Sequence, residues 1–450
     1  MIQLLTIRRG PMICSSPERV SSRLTAPYES AVRSRHLRKT KLIRPHYAEN
    51  FRCIGAACED TCCVGWNVSI DRNTYERYQT IPAGPLRVLI DKNVLRTPNN
   101  ADGSKSAAFA FIQMSPSLKC PMHNADKLCQ IQAEHGAAYL SSTCSTFPRQ
   151  AYTIDNFRET TLTLSCPEAA RLILTNPQLL TSFGNQTDYL NWDDKGKTPA
   201  PIRSYFWPIR EFIVTLLRNR TYPLWQRMFL LGSFCRRLEA VARSEVEGGF
   251  PALENGFSSA VANGSLRASI ETISANNALQ LDMVLQLIQL PVLDIAVYPR
   301  FAECRSAFFD GIGHGDAVTL ECQNTAYTSA YECFYAPFFL KHPYMLENLL
   351  VNMIISRVFP FGPSLFEPET MFEPAKQFAL LATEFALIKG LLIGIASRYQ
   401  EAFSVEHVVQ TVQVVVKHFE HHPSFVPCSL ELLACKGLDN AHGITMLLRN

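Results

Sequence analysis

The sequence predicts an α+β protein that is predominantly helical, with an N-terminal cysteine-rich metal module containing short strands, followed by an all-helical domain. Eight cysteines lie between residues 53 and 166. Segments with the alternating pattern of strands lie in the same region, whereas the apolar residues beyond residue 205 recur at helical spacing. We therefore expect the metal module at residues 45–184 and the helical domain at residues 200–450, with a polar, turn-rich boundary at residues 184–201.

The charge of the chain is unevenly distributed. Of its 43 basic residues, ten lie within residues 1–45, together with only two of the 40 acidic residues. Residues 1–44 are therefore expected to be a basic extension without fixed structure, either a solvated tail or a contact for nucleic acid or an anionic membrane. The remainder is mildly acidic, and its composition is that of a well-filled globular protein. We expect the solvated tail and no nucleic-acid partner.

Neither export nor membrane insertion is predicted. The first residues place an apolar run ahead of Arg8 and Arg9, the reverse of the order in a secretory signal. The most apolar long segment, residues 378–396, contains Glu384 and Lys389, which favours a buried helix over a membrane crossing. A soluble cytoplasmic protein without a membrane partner is expected.

The cysteine-rich module contains several local structure signals. Residues 66–70 alternate as a short strand does, and Asp71 is placed to cap the helix that follows. Residues 97–106 hold turn formers and predict an exposed loop before a strand at residues 108–114. The remaining signals are a helix at 130–135 ended by Gly136, a hairpin at 152–164 turning at 155–156, and a helix at 169–174 opened by Pro167.

In the second domain the apolar spacing predicts a succession of helices. Residues 344–361, for example, place an apolar side chain about once per helical turn, so that one face would be buried. The predicted helices are at residues 205–219, 222–245, 266–288, 297–311, 325–340, 343–358, 370–398, 405–420 and 429–435.

The clustered cysteines favour a metal centre over disulfides, because thiols stay reduced in the cytosol. Paired Cys-x2-Cys knuckles typical of zinc ribbons are missing, and the small residues at 55–57 let backbone N–H groups approach sulfur. An iron–sulfur cluster, of the 4Fe-4S type, is therefore preferred to zinc. The predicted ligands come from Cys53, Cys58, Cys62, Cys63, Cys120, Cys129 and Cys144, with Cys166 nearby.

Only four of these thiols are needed, and adjacent cysteines rarely bind the same metal, so we expect only one of Cys62 and Cys63 to be a ligand. His46, His123 and His135 could also bind, although surface hydrogen bonding is the more ordinary role for such residues. Outside this region, the scattered cysteines are expected to be small buried residues: Cys235, Cys304, Cys322, Cys333, Cys428 and Cys435.

The cysteine motifs resemble those of a known family. The matching residues are Tyr47, Phe51-Arg52-Cys53-Ile54-Gly55, Cys58, Cys62-Cys63-Val64-Gly65-Trp66, Asp71, Thr74-Tyr75, Cys120-Pro121, Leu128-Cys129, Cys144, Phe147-Pro148-Arg149 and Leu164-Ser165-Cys166-Pro167-Glu168-Ala169-Ala170-Arg171. With the helical stretch at residues 344–362, they look like the flagellin lysine N-methylases of flagellated bacteria. The resemblance covers roughly residues 44–435.

This resemblance implies that a methyl group passes from S-adenosylmethionine to lysine ε-amino groups on the surface of flagellin, in the cytoplasm. It also implies a cysteine-bound centre of the iron–sulfur type. A lysine ammonium, with a pKa near ~10.4, must lose its proton before it attacks the methyl group. The candidate bases are Glu168, Asp71, Tyr75, Glu347 and Tyr344, each of which could equally be a cap or a packed surface group.

The site of S-adenosylmethionine is not marked by a familiar motif. The chain has no strand followed by Gly-x-Gly-x-x-Gly, and it lacks the Cys-x3-Cys-x2-Cys spacing of radical enzymes. Arg149 and Arg171 each follow a cysteine closely and could bind the carboxylate of the cofactor, or form salt bridges between the two domains. Two alternative functions remain: an iron–sulfur electron-transfer protein, and a zinc-stabilised helical adaptor without enzymatic activity.

Overall fold

The computed structural model describes residues 41–450 except 44, 98–107, 156, 180–201, 245–247, 291–297, 314, 316, 317, 368, 420, 421 and 423. The predicted basic extension lies outside the described residues apart from a strand at Lys41–Ile43. The predicted domain boundary at residues 184–201 lies outside them entirely, as does nearly all of the predicted loop at residues 97–106.

Two small sheets lie in the N-terminal part of the chain. Their strands are β1 Lys41–Ile43, β2 Val68–Ile70, β3 Val94–Arg96, β4 Ala110–Ile112, β5 Arg149–Ile154 and β6 Phe157–Leu162. One sheet has the order β1-β6-β5, in which β5 and β6 form the predicted hairpin and β1 runs parallel to β6. The other has the order β2-β4-β3 and is antiparallel throughout.

Helices make up most of the described chain, which confirms the predominantly helical α+β class. They are α1 His46–Asn50, α2 Arg72–Gln79, α3 Pro85–Asn93, α4 Gln130–His135, α5 Ser142–Thr146, α6 Pro167–Leu174, α7 Phe206–Arg218, α8 Leu224–Ser244, α9 Gly249–Ala262, α10 Arg267–Glu271, α11 Asn277–Leu287, α12 Pro299–Ile312, α13 Leu320–Ala330, α14 Ala336–Lys341, α15 Pro343–Ser356, α16 Pro374–Tyr399, α17 Val405–Phe419, α18 Phe425–Cys435 and α19 Ala441–Met446.

Several predicted boundaries are confirmed because they depend on local chemistry. The Asp71 carboxylate accepts a hydrogen bond from the backbone N–H of Thr74 and so caps α2. α4 ends at Gly136, whose φ of 81° suits glycine. Pro167 occupies the first turn of α6, where its missing N–H costs no hydrogen bond.

Other predictions were wrong. The single helix predicted at residues 266–288 is two helices, α10 and α11, because Asn276 caps the second by accepting a hydrogen bond from the N–H of Leu279. The helix predicted at residues 325–340 begins earlier and contains a π-helical segment, Tyr331–Tyr335, before α14. α3 and α9 were missed. α15 is buried on all sides rather than on one face.

The described residues pack around two separate cores. A small core of 12 buried residues holds the β2-β4-β3 sheet with α2, α3 and α4. The large core contains the interior of the helical domain and also buried residues of α1, the β5-β6 hairpin and α6. The polypeptide therefore enters the large core, leaves it for the small core, and returns through β5.

α16 is the central helix of the large core. By length and composition, Pro374–Ala402 could cross a membrane, but 94% of its most apolar window is buried in the protein. The two charges noted in the sequence are both partnered there: Glu384 pairs with Arg357 at 2.7 Å, and the Lys389 ammonium donates to the carbonyl of Leu448 at 2.5 Å. The prediction of a buried helix is confirmed.

Replacing Lys389 with methionine should change how stability depends on pH. Burial lowers the pKa of Lys389 from 10.5 to about 7, so between these values the unfolded chain holds a proton that the folded chain has released. Stability of the wild type should therefore rise with pH across this window. Lys389→Met should flatten that rise and stabilise the protein near pH 7 by about 1–3 kcal/mol.

Urea unfolding between pH 7 and 10 tests this expectation, with exposed Lys376→Met as the matched control. Lys376 forms only a short-range pair with Glu373 on the surface, so its loss should change stability by less than about 0.5 kcal/mol at either pH. An unchanged pH slope in Lys389→Met would contradict the account of this buried lysine.

Candidate functional site: a cysteine cluster between the two cores

The loop that carries Cys53, Cys58, Cys62 and Cys63 connects the two cores. Its first turn is the 3₁₀ segment Gly55–Ala57, and Gly55 has the positive φ of 58° that glycine tolerates. The Cys53 sulfur accepts a hydrogen bond from the N–H of Gly55 at 3.5 Å. The sequence thus folds the loop tightly around its own first thiol.

The second half of the loop is fixed by two side chains that bind its own backbone. The Asp60 carboxylate accepts from the N–H of Thr61 at 2.7 Å, and the Thr61 hydroxyl accepts from the N–H of Cys63 at 3.1 Å. These bonds hold Cys62 and Cys63 in a defined position relative to Asp60.

Asp60 also anchors the loop to the helical domain. Lys417 in α17 donates to the Asp60 carboxylate at 2.7 Å and to the carbonyl of Thr61 at 2.7 Å. Gln413, one turn earlier, donates to the same carboxylate at 2.8 Å and to the carbonyl of Ser165 at 3.0 Å. The side chains of Lys417 and Asp60 are only 10% and 17% exposed. We call Asp60, Thr61, Gln413 and Lys417 the loop anchor.

The electrostatics of the loop anchor favour the ion pair. Burial raises the pKa of Asp60, but the Lys417 ammonium and hydrogen bonds from Lys417, Thr61 and Gln413 outweigh it, so the pKa lies below its usual value. Lys417 also acts on the neighbouring thiol, where its charge opposes the increase in the pKa of Cys62. A fixed positive charge therefore lies beside the cysteine loop.

Further contacts join the loop to the helical domain. Arg171 in α6 pairs with both Glu59 of the loop and Glu168 of its own helix, and Arg300 of α12 donates to the Glu59 carbonyl at 3.5 Å. Gly65 has a φ of 88° and lies so close to Tyr298 that an added Cβ would overlap the tyrosine ring. The cysteine loop is thus held from both sides.

Lys417→Met should loosen the loop by removing the cation of the loop anchor. Asp60 would remain largely buried without its charged partner, at an expected cost of about 1–3 kcal/mol. Hydrogen exchange measured by mass spectrometry should show faster exchange in peptides covering residues 53–66, with residues 299–312 unchanged.

The matched control for Lys417→Met is Lys376→Met, which removes an exposed lysine that pairs with nearby Glu373 and should leave exchange in the loop unchanged. Equal exchange in the loop of Lys417→Met and wild type would contradict the proposed anchoring.

The clustered cysteines differ in exposure: Cys120 and Cys166 are buried, Cys58, Cys63, Cys129 and Cys144 are half-buried, and Cys53 and Cys62 are exposed. Burial raises the pKa of Cys120 and Cys166 to about 12 and that of Cys144 to about 11. Burial also raises the pKa of Cys58 and Cys129, whereas for Cys62 the main cause is a hydrogen bond with the Cys63 thiol, followed by burial. A metal that binds these sulfur atoms would have to displace the thiol protons, because cysteine binds metals as the thiolate.

Polar hydrogens are directed at several of the sulfur atoms. Backbone N–H groups of Met122 and Ala169 donate to Cys120 and Cys166 respectively. Comparable donors, from backbone or side chain, reach Cys58, Cys129 and Cys144. Such donors stabilise thiolates and tune metal centres.

The predicted cysteine ligands lie in one region of the structure, but their sulfur atoms do not converge on one point. Within the described residues, no three His, Cys, Asp or Glu side chains lie close enough together to hold one metal ion. The donor atoms fit an iron–sulfur or zinc centre in their chemistry, because soft sulfur atoms with N–H donors are what such centres use. Their side chains would have to rotate to bind it.

Two of the histidines near the cysteines, His123 and His135, have other contacts. His123 lies beside Thr61, with its Nε2 3.3 Å from the threonine hydroxyl, and burial together with Lys119 lowers its pKa. The ring of His135 packs at a tilt of 37° against the ring of Tyr139. The side chain of His46 lies outside the described residues.

The two arginines predicted to bind the cofactor have protein partners. Arg149 donates to the carbonyl of Phe51 at 3.1 Å and lies 5.0 Å from the centre of the Phe51 ring. Arg171 forms the pair with Glu59 and Glu168 described above, and both partners lie in the same predicted module at residues 45–184 rather than in the helical domain at residues 200–450.

The five candidate bases also have partners within the protein. Asp71 caps α2, Glu168 pairs with Arg171, and Tyr75 packs edge-on against Phe109. Glu347 is 2% exposed and binds Arg220 and Arg227. The hydroxyl of Tyr344 is 3.3 Å from Nδ1 of His342.

The sequence did not predict the loop anchor, and it predicted the burial of the six remaining cysteines only in part. Lys417 and Asp60 are separated by 357 residues, so no local pattern relates them. Cys235, Cys304 and Cys428 are buried as predicted, but Cys322, Cys333 and Cys435 are exposed. In α13, the π-helical segment Tyr331–Tyr335 and α18, the helical apolar pattern did not determine which face carried the thiol.

Comparison with known proteins gives a family match over the second half of the chain. A family model described as the FliB lysine N-methylase C-terminal domain matches residues 210–447. The flagellar biosynthetic protein FliU of Salmonella muenchen is 31% identical over 145 residues, which are 32% of this chain and 83% of FliU.

Two lysine-N-methylases, from Salmonella choleraesuis and Salmonella typhimurium, are each 30% identical over 145 residues. The alignment spans about a third of those proteins, 35% of each, and 32% of this chain. No solved structure matches the chain significantly.

Proposed function

The chain belongs to the FliB lysine N-methylase family, and from this premise we propose that it transfers methyl groups from S-adenosylmethionine to lysine ε-amino groups of flagellin in the cytoplasm. The observation that carries the proposal is the family match over residues 210–447. The family predicted from the cysteine motifs is thereby confirmed. The flagellar name of FliU supports flagellin as the substrate. The names of the lysine-N-methylases support lysine methylation as the reaction.

The reaction requires an uncharged amine. The lysine nitrogen attacks the methyl carbon of the sulfonium as the carbon–sulfur bond breaks, so that S-adenosylhomocysteine leaves and the amine proton passes to a base. Exclusion of water around the lysine would lower its pKa and favour the attacking form. The seam between the two cores, where polar side chains of α17 meet the cysteine loop, is where we place this reaction.

We propose further that the cysteine loop holds an iron–sulfur cluster, with ligands drawn from the predicted set: Cys53, Cys58, Cys62, Cys63, Cys120, Cys129 and Cys144. When bound, such a cluster supplies a redox-active metal centre beside the seam. The protein's own contribution is to position the thiols: the loop anchor fixes Cys62 and Cys63, and N–H donors orient the sulfurs of Cys58 and Cys120.

Incubation of anaerobically purified protein with methyl-labelled S-adenosylmethionine and purified flagellin tests the activity. Acid hydrolysis of the flagellin should give labelled N-methyllysine, and flagellin whose lysines have been acetylated beforehand should remain unlabelled. An intact, iron-containing protein that labels no lysine would remove the methylation proposal and favour the electron-transfer alternative. A colourless zinc protein without transfer would favour the adaptor.

A further inference from the structure

A small cavity opens between α10 and the turn that leads into α8. Its volume is about 220 Å³, which is roughly the volume that seven water molecules occupy in the liquid. We call it the α10 cavity, and it is lined by Thr221, Tyr222, Gln226, Arg267, Ile270 and Glu271. The α10 cavity has room for a small molecule, and it shares no residue with the cysteine loop or the loop anchor.

The buried part of this lining is apolar and fixed in position. Tyr222 and Ile270 are only 5% and 1% exposed. The Tyr222 hydroxyl donates a hydrogen bond to the carbonyl of Val261, near the end of α9, at 2.7 Å, and this bond holds the tyrosine ring in place. The apolar part of a small ligand could be removed from water against these two side chains.

The turn at one side of the α10 cavity is held by the interior of the helical domain. Thr221 follows Arg220, whose guanidinium binds the buried carboxylate of Glu347 through contacts of 2.6–3.1 Å. The side-chain oxygen of Asn219 accepts from the N–H of Thr221 at 3.2 Å and from its hydroxyl at 2.5 Å. Because this wall is already fixed, a ligand would not need to order it on binding.

Three polar side chains of the lining are available to a ligand. The guanidinium of Arg267, the carboxylate of Glu271 and the amide of Gln226 have no hydrogen-bond or ion-pair partner within the part of the chain that the structure describes. Arg267 and Glu271 are four residues apart, the same spacing and order at which Arg87 and Asp91 pair at 2.8 Å in α3. In α10 the two charges remain unpaired, and both line the cavity.

Two unpaired charges of opposite sign favour a ligand that carries both signs. A simple anion would be attracted by Arg267 and repelled by Glu271, and a simple cation would experience the reverse. The headgroup of an α-amino acid satisfies both residues, because its carboxylate accepts paired hydrogen bonds from a guanidinium and its ammonium donates to a carboxylate. The amide of Gln226 can add a neutral hydrogen bond.

We propose that the α10 cavity binds the zwitterionic headgroup of an α-amino acid. Arg267 binds the carboxylate, Glu271 binds the ammonium, and Tyr222 and Ile270 contact an apolar side chain. The site requires neither a metal nor the cysteine loop.

The headgroup can belong to a free amino acid or to a larger molecule that contains one. Thr221, Arg267 and Glu271 are exposed, so the cavity is open to solvent and the rest of a larger ligand could extend out of it. S-adenosylmethionine is such a molecule, and the two arginines predicted to bind its carboxylate, Arg149 and Arg171, have protein partners. The amino-acid site does not depend on methylation; only this second source of the headgroup rests on the proposed function.

Isothermal titration calorimetry of the full chain with L-methionine tests the proposal. We expect a Kd of about 1 mM or tighter for the wild type. Arg267→Gln and Glu271→Gln should each weaken binding by at least about tenfold, because each removes one charged partner of the headgroup. Arg236→Gln, which removes an exposed arginine elsewhere on α8, is the matched control and should bind as the wild type does. All three altered residues are exposed, so the variants should keep the circular dichroism spectrum of the wild type.

Modified ligands test the two charges separately. N-acetyl-L-methionine lacks the ammonium, and the methyl ester of L-methionine lacks the carboxylate. Each should bind the wild type at least about tenfold more weakly than L-methionine does.

Titration with S-adenosylhomocysteine, which carries the same headgroup, identifies the source. Binding that Arg267→Gln weakens would assign the cavity to the methyl donor, whereas binding of L-methionine alone would assign it to a free amino acid. Wild type that binds neither ligand, or that binds L-methionine no better than Arg267→Gln and Glu271→Gln do, would overturn the proposal. None of these results decides whether the chain methylates flagellin, which the labelling experiment measures separately.

Discussion

Gly311→Ala is expected to destabilise the helical domain by about 3 kcal/mol or more. α12 and α16 pack so closely at this point that a Cβ on Gly311 would overlap the carbonyl oxygen of Gly394. Gly394 in turn lies against the ring of Phe308, so neither helix can move away without disturbing the other contact. Backbone atoms, unlike the end of a flexible side chain, cannot rotate out of the way.

Gly256→Ala is the matched control for this change, because it adds the same methyl group to a helix. Gly256 is exposed in α9, and an added Cβ would meet no atom within 4 Å. Alanine there should stabilise the protein by about 0.5–1 kcal/mol, since glycine is a poor helix former. Urea unfolding followed by circular dichroism measures both. Equal stability of Gly311→Ala and wild type would show that the two helices are not packed as described.

Cys58→Ser is expected to remove most of the bound iron and, with it, at least about nine-tenths of the methyl transfer. Cys58 is half-buried in the cysteine loop, and the N–H of Asp60 donates to its sulfur. A serine oxygen is a poor ligand for a centre that selects soft sulfur donors.

The measurement compares iron content and labelled N-methyllysine for Cys58→Ser, Cys435→Ser and wild type, all purified in the same anaerobic way. Cys435 is exposed in α18, away from the cysteine loop in sequence, and its serine variant should match the wild type in both quantities. Full methyl transfer by an iron-depleted Cys58→Ser would show that the centre is not needed for the reaction.

The features that the sequence predicts correctly are those that depend on neighbours in the chain. The cap at Asp71, the end of α4 at Gly136 and the start of α6 at Pro167 each follow from the preferences of one residue. Long helices such as α16 are predicted because their apolar pattern persists over many turns. The prediction of a single helix at residues 266–288 was wrong because Asn276 caps a second helix within a continuous apolar pattern.

What the sequence does not predict are contacts between distant segments. Nothing near Lys417 shows that its ammonium meets Asp60, and nothing near Gly311 shows that it faces Gly394. The cysteine motifs do reveal the family, but not how the cysteines are divided between the two cores. That division depends on β5 and β6 joining the large core, although they follow the cysteines directly in the chain.

The most direct test of the central claim, that this chain methylates lysines of flagellin, is a reconstitution in cells. The full chain and a flagellin are produced together in a bacterium that lacks a flagellin methylase, and the flagellin peptides are mapped by mass spectrometry. Methylated lysines should be found with the wild-type chain and be absent when flagellin is produced alone. Unmethylated flagellin in the presence of soluble, iron-loaded chain would contradict the claim.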